Sequence, residues 1–369
     1  MEKGSKKSIA KETYIGVSDL DDIATGGAIL GTGGGGDPYI GKLMAQQAIR
    51  KYGDVKLINV EDVDDEALVV PCAMMGAPTV MLEKIPQGEE ILLAFRKLER
   101  FLGKKIGAIL CAEAGGLNST VPFVIGAMTG IPVIDGDGMG RAFPELQMVT
   151  FTMFGVSATP MVVVDDKGNS VILECIDNHW TERLARTATI EMGGSVMITL
   201  YPMTGAVAKK AAVRGTLTLA RRLGEILRES RSKHLDPIKS IQRKLNAVTI
   251  FEARVIDVSR RTETGFARGE IHFSGIDDYK GKNFRVEFQN EFLIAEQDGK
   301  VIVTTPDLIT LLDSDTGAPI TTETIRYGLR VVAIAIPCAS QWRTEAGLAL
   351  VGPRYFGYDV DFKPFEIGQ

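Results

Sequence analysis

Asp135 and Asp137 stand two residues apart in the stretch DGDGMGR, which Arg141 closes. Two carboxylates at that spacing can share a divalent cation, or divide into a general base and its orienting partner. They can equally be turn-forming aspartates, with the glycines taking positive φ. Arg141 offers a planar fork for a substrate carboxylate, or a partner for a neighbouring Asp. Glu113 follows an apolar run, where an unpaired charge is costly, so it needs a partner or a task. Cys72 follows another such run, and a thiolate of lowered pKa would attack an electrophilic carbon directly. The three histidines, His179, His234 and His272, form no HxH or HExxH pattern, which argues against a histidine-rich zinc site. His179, in DNHWTER, is the best acid–base candidate of the three.

These residues share a position relative to the apolar runs. LVVP leads into CAMMGAP, AILC into AEAGGLNST, and PVID into GDGMGRAFPE. In an open parallel α/β sheet, ligands bind beyond the carboxyl ends of the strands. Cys72, Glu113, Asn118, Asp135, Asp137 and Arg141 should therefore approach one edge. The glycine run in LGTGGGGDPYIG would cover that edge, as a compact loop whose amides meet a ligand or a neighbouring loop. The run follows a helix pattern and has no Lys-Ser/Thr ending, so neither a dinucleotide fingerprint nor a P-loop fits it. The catalytic candidates are Asp135, Asp137, Glu113, Cys72 and His179. The substrate-binding candidates are Gly33, Gly34, Gly35, Gly36, Asp37, Gly115, Gly116, Asn118 and Arg141. A divalent metal, if one takes part, would fall to Asp135 and Asp137.

The surrounding elements follow from period and punctuation. Ser18 with Asp21 predicts a capped helix start, and Asp37-Pro38 a second one that Gly53 ends. EEILLAFRKLERFLG places Ile91, Leu92, Phe95, Leu98 and Leu102 on one helical face. NSTVPFVIGAMTG reads as a helix starting near Asn118 or Ser119. MVVVDDKGNSVILE reads as a hairpin. The alternation of strand and helix predicts an α/β fold with a mostly parallel sheet over residues 15–178. Residues 179–369 read as a β-rich α+β domain. There, GTLTLARRLGEILRES is a helix with Leu217, Ala220, Leu223 and Leu227 in line, Lys233 to Lys244 is a solvated connector, and NFRVEFQNEFLIAE alternates as strands do.

Composition narrows the function classes. The chain has 369 residues, 45% of them hydrophobic and 24% charged, with a net charge of −5. That excludes a global basic field for nucleic acid or anionic membranes. No apolar run reaches the ~18 residues of a membrane span, and the N-terminus has no signal-like apolar stretch. The four cysteines lie far apart, which fits a reducing compartment. A cytoplasmic homo-oligomer is expected, acting on a small heterocycle without nicotinamide or flavin.

The stretches ILGTGGGGDPYIGKLMAQQA, VVPCAMMGAPTVMLEK, EAGGLNSTVPFVIGAMTGIPVIDGDGMGRAFPELQM and TPMVVVDDKGN resemble the S-methyl thiohydantoin desulfurase family. That family was long classed as a domain of unknown function and labelled hydantoinase-related. The resemblance runs from about residue 15 to 170, and TERLAR, GGS and GTLTLARRLGEIL extend it. It implies two domains and removal of sulfur from a five-membered thiohydantoin ring, leaving a hydantoin. It carries over no catalytic set. The alternatives are ATP-dependent ring opening of the hydantoinase or oxoprolinase kind, and a non-enzymatic ligand-binding or accessory role.

Overall fold

The computed structural model describes residues 12–77, 80, 86 and 88–365. The three apolar runs form the strands Leu68–Gly76, Ile106–Cys111 and Val133–Asp137. With Val55–Asn59 they make a four-stranded parallel centre, in the order 55–59, 133–137, 106–111, 68–76. Antiparallel strands complete the mixed ten-stranded sheet. Thr13–Ile15 closes one side; Ser195–Thr199, Met161–Val164 and Ser170–Leu173 extend the other. The α/β class is therefore as read from the sequence. The strand Ser195–Thr199 returns to this sheet after the expected hairpin, pairing beside Leu68–Gly76.

Alternation along the strands divides the core in two. Val70, Cys72 and Met74 pack with Ile109, Phe95 and Phe123 beneath the helices Pro38–Tyr52, Glu89–Leu102 and Val121–Thr129. Val69, Ala73 and Met75 face the opposite layer, with Ile134, Phe143, Phe151 and Trp342. The helix Thr216–Ser232 buries Leu217, Ala220, Leu223 and Leu227 as its pattern requires. It crosses the helix Asp19–Leu30 so closely that a Cβ on Gly224 would lie 2.1 Å from the Asp22 carbonyl oxygen. Arg228 pins the crossing through Asp22 at 2.7 Å.

The second sheet has eight antiparallel strands, with Phe284, Val286 and Phe288 in its core. Its strands Asn283–Gln289 and Glu291–Gln297 turn on the single residue Asn290, at φ 59°. An Asn tolerates that left-handed backbone. Here its Oδ1 also accepts from the Ala267 amide at 2.8 Å, while its own amide donates to the Ala267 carbonyl at 2.7 Å.

Two local readings change. Ser18 makes no side-chain cap; Asp19 instead accepts from the Gly16 amide at 2.9 Å. Part of the basic segment is the helix Pro237–Leu245, capped by Asp236 and burying Ile238 and Ile241. Its lysines and arginine hide an amphipathic stripe, which is why it reads as a connector.

The glycine run joins helix Asp19–Leu30 to helix Pro38–Tyr52, and Asp37 caps the latter by accepting from Tyr39 and Ile40 amides at 2.7 and 3.3 Å. The loop is a wedge between the two halves. Its carbonyls are its bonds: Gly35 accepts from the Leu117 and Asn118 amides, Gly33 from Thr322, and Thr32 from Phe292. A Cβ on Gly34 would lie 1.9 Å from Glu291 Oε1, and one on Gly35 would lie 2.4 Å from the Gly115 Cα. Gly35 also has φ 76°. Gly35→Ala should therefore cost about 2–4 kcal/mol, combining overpacking with positive-φ strain. Gly130→Ala, at φ 73° with nothing within 4 Å, should cost only the strain. Thermal melts check this: equal losses for the two variants would refute the close-approach role.

Candidate functional site

One pocket lies where the carboxyl edge of the parallel strands meets the Asn290 turn. Its walls include Gly35 and Gly36, Ala73 to Gly76, Glu113, Asn118, Phe143 to Leu146, Arg186, Tyr201, Asn290 and Glu291. Its cavity volume is about 70 Å³, room for a small ligand of a few heavy atoms. Met139, Phe143, Leu146 and Leu200 make its walls largely apolar.

Two buried carboxyl groups face this pocket. Glu113 leaves the strand Ile106–Cys111 and is held by Asn118, whose Nδ2 donates to Glu113 Oε1. Asn118 is itself fixed by the strand end, accepting from the Met74 amide at 2.7 Å and donating to the Met74 carbonyl at 3.3 Å. Burial pushes the Glu113 carboxyl up to about 7; Asn118, the Phe143 amide and the Arg186 charge oppose that rise. Glu291 enters from the second sheet and is 2% exposed. Burial first, then repulsion from Glu113, raises its pKa well above the carboxylate range, against the pull of Arg141. Its Oε2 is buried and accepts no hydrogen bond among the described residues. The two carboxyls thus differ: one is partnered, the other is held in apolar surroundings.

Arg186 is the cation in the pocket wall. Its Nε bonds Glu182 at 2.7 Å, and its two Nη groups reach the Gly265 and Pro144 carbonyls at 3.3 and 3.1 Å. That commits three of five N–H donors. The amides of Gly35 and Gly36, also in the wall, donate to no acceptor among the described residues.

The sequence candidates separate in three dimensions. Glu113, Asn118, Gly35 and Gly36 line the pocket. Gly33, Gly34, Gly115 and Gly116 instead form the packed junction behind it, and Asp37 is spent on its helix cap. Arg141 is fully buried and does not line the pocket. Its five N–H donors have five neutral acceptors: Ala142 O at 2.9 Å, Pro306 O at 2.9 Å, Asp307 O at 3.0 Å, Thr32 Oγ1 at 2.8 Å and Phe292 O at 3.4 Å. No donor is left for a substrate carboxylate, so the expected fork is a strut. Asp137 accepts from the Ala114 and Gly140 amides at 2.7 and 2.9 Å and knits two loops together; burial raises its pKa to about 7. Asp135 turns to the start of helix Thr216–Ser232, accepting from the Thr218 amide at 2.9 Å and its hydroxyl at 2.5 Å. Both are therefore structural anchors outside the pocket wall. Among the described residues, no group of three or more His, Cys, Asp or Glu is arranged to hold a metal ion. Cys72 lies on the helix-covered face of its strand, and burial drives its thiol pKa far up, the reverse of an activated nucleophile. His179 is exposed and borders a groove that shares Glu145 and Arg186 with the pocket, which His179 does not line.

The chain matches the model of the S-Me-THD-like N-terminal domain over residues 18–175 and of the S-Me-THD-like C-terminal domain over residues 176–365. It belongs to the S-Me-THD-like family. The family label points to a thiohydantoin-related role and to an enzyme. No curated protein matches the chain. Among solved structures, the crystal structure of a structural-genomics protein from Chromobacterium violaceum is similar at 24% identity with a TM-score of 0.77, covering 96% of this chain and 100% of that one. At that identity the likeness shows the fold. No helix among the described residues is long and apolar enough to cross a membrane.

Within this family member, the residues missed by sequence reading are Glu291 and Arg186. Glu291 sits in the alternating run NFRVEFQNEFLIAE, where it reads as a solvent-facing strand residue. The signal was the Gln-Asn-Glu interruption between two strands. Arg186 sits in TERLAR, four residues after Glu182, and reads as a surface helix pair.

Two outcomes follow. Arg141→Met should lose about 3–5 kcal/mol, because it leaves five buried oxygen acceptors without their donors; Arg141→Lys should fall between. Melts check this, and a fully stable Arg141→Met would refute the strut. The second concerns pH. The Glu113 carboxyl is raised in the folded state, so its stabilising contribution is complete below the unfolded pKa near 4.5 and lost as pH rises through about 7. Glu113→Gln should lose less stability than wild type between pH 5 and 8; parallel melting curves across that range would contradict it.

Proposed function

We propose that the chain hydrolyses an S-methyl thiohydantoin at ring C2, releasing methanethiol and leaving the hydantoin. The observation that carries this reading is the pair Glu113 and Glu291, two buried carboxyls on one pocket with pKa values raised to different degrees. Groups driven apart in this way divide into base and acid. Near neutral pH Glu113 supplies the carboxylate and Glu291 the protonated carboxyl.

Glu113 takes a proton from water as its oxygen bonds to C2. The C2=N pair moves onto the ring nitrogen, which takes the Glu291 proton. The neutral tetrahedral adduct then collapses: the C2–S bond breaks, its electrons leave with sulfur, and Glu291 recovers a proton from the C2 hydroxyl as C2=O forms. Glu113 returns its proton to the thiolate. Both carboxyls end as they began. The free amides of Gly35 and Gly36 and the spare donors of Arg186 would meet charge developing on ring atoms. The apolar wall keeps these interactions strong by excluding water. A phosphate cradle at the glycine loop is less favoured, since the buried Glu291 carboxyl abuts Gly34.

Thiol release from an S-methyl thiohydantoin, followed with a thiol reagent and by mass, is the direct test. Glu113→Gln and Glu291→Gln should each lower kcat by ~10²-fold or more while remaining folded. The wild-type kcat/KM should rise with pH as Glu113 ionises around 7 and fall at higher pH as Glu291 ionises; Glu291→Gln should lose the falling limb. No thiol from any such ring, or full activity in both Gln variants, would overturn the reading.

A further inference from the structure

A second concavity lies on the outer face of the eight-stranded sheet, behind the turn that carries Glu291. It measures about 340 Å³ and is bordered by Arg268, Gln289, Glu287, Leu293, Phe356 and Tyr358. Its charges are unevenly matched. Glu287 is met by Arg285 at 2.9 Å and by the Tyr358 hydroxyl at 3.2 Å. Glu270, also at its border, is met by Arg285 and His272, both at 3.2 Å. Arg268 has no ion pair among the described residues; its guanidinium lies 5.6 Å from the centroid of the Phe266 ring. Gln289 is 4% exposed, and its Nε2 donates to no acceptor among the described residues. A buried amide donor without a partner is costly unless something bonds it. The remaining border sets Leu293, Phe288, Phe356 and Gly269 beside Ser259 and Arg261, which pairs with Glu263 at 3.0 Å.

We infer that this concavity is a second ligand site, which takes a small planar carboxylate: the carboxylate on Arg268 and the Gln289 amide, the ring against Phe356 and Leu293. Arg268 and Gln289 are direct cross-strand neighbours, and a guanidinium free of ion pairs is the donor a carboxylate bonds most strongly. The site is connected to the first pocket along two routes. Gln289 directly precedes Asn290 and Glu291, which line that pocket. The Phe266 ring that Arg268 overlies also carries Arg186, at 4.1 Å, and Arg186 lines it as well. The two sites are thus one residue and one ring apart.

The test uses the full chain, with benzoate as the probe and benzamide as its uncharged counterpart, and reads binding by titration calorimetry without reference to turnover. Benzoate should bind at millimolar or better affinity, benzamide at least tenfold more weakly. Arg268→Gln should weaken benzoate at least tenfold, and Gln289→Leu less, with melting temperatures showing both variants folded. If Arg268→Gln does not fold, the benzoate–benzamide comparison on wild type still decides. No benzoate binding, equal binding of the two probes, or undiminished binding to folded Arg268→Gln would each overturn the site. Because binding is read alone, these outcomes are independent of whether thiol release is observed.

Discussion

The guanidinium of Arg141 is the interaction on which the rest of this structure depends. It is a fully buried cation that bonds only neutral oxygens, drawn from its own loop, the glycine loop and the second sheet. Such a charge survives burial only when every donor is met and a countercharge lies within reach. Asp307, which also pairs with Arg343, lies within electrostatic reach of it. Removing the guanidinium leaves those oxygens unbonded in a dry interior. The wedge of glycines is a consequence, since Thr32 can reach Arg141 only if the loop passes between the two halves without side chains.

That arrangement explains how an acid can stand in an apolar pocket. Glu291 is held by its turn, by packing against Gly34 and by the field of Arg141, with one oxygen left free of bonds. Glu113 reaches the same pocket from the opposite side, oriented by Asn118, which is tied in turn to the strand end at Met74. One carboxyl is stabilised by donors and the other is starved of them. This asymmetry, more than the presence of two acids, allows them to carry different protonation states at one pH.

The pocket belongs to neither half of the chain alone. Its floor comes from the ends of parallel strands, while the Asn290 turn and the Arg186 helix come from later sequence. The strand Ser195–Thr199 and the helix Thr216–Ser232 also return to the first sheet. The Asp135 carboxylate anchors that returning helix at its start, where the helix dipole favours a negative charge.

Much of this was legible in the sequence, because local patterns reflect local physics. Strand runs, the Asp37 cap, the stripe of Leu217, Ala220, Leu223 and Leu227, and the alternation of Phe284, Val286 and Phe288 depend on neighbours a few residues away. The edge that gathers the loops follows from parallel order, and Glu113 and Asn118 lie on the pocket wall there. The sequence could not say which polar groups at that edge were already spent. Asp135, Asp137 and Arg141 look as reactive as Glu113 in one dimension, yet their partners, such as Thr218, Ala114 and Pro306, lie far along the chain. Nor could it raise Glu291 above the other strand acids. Only tertiary structure decided that one-residue turn would carry a carboxyl into the apolar pocket, because burial and the field of a distant arginine are properties of the assembled interior.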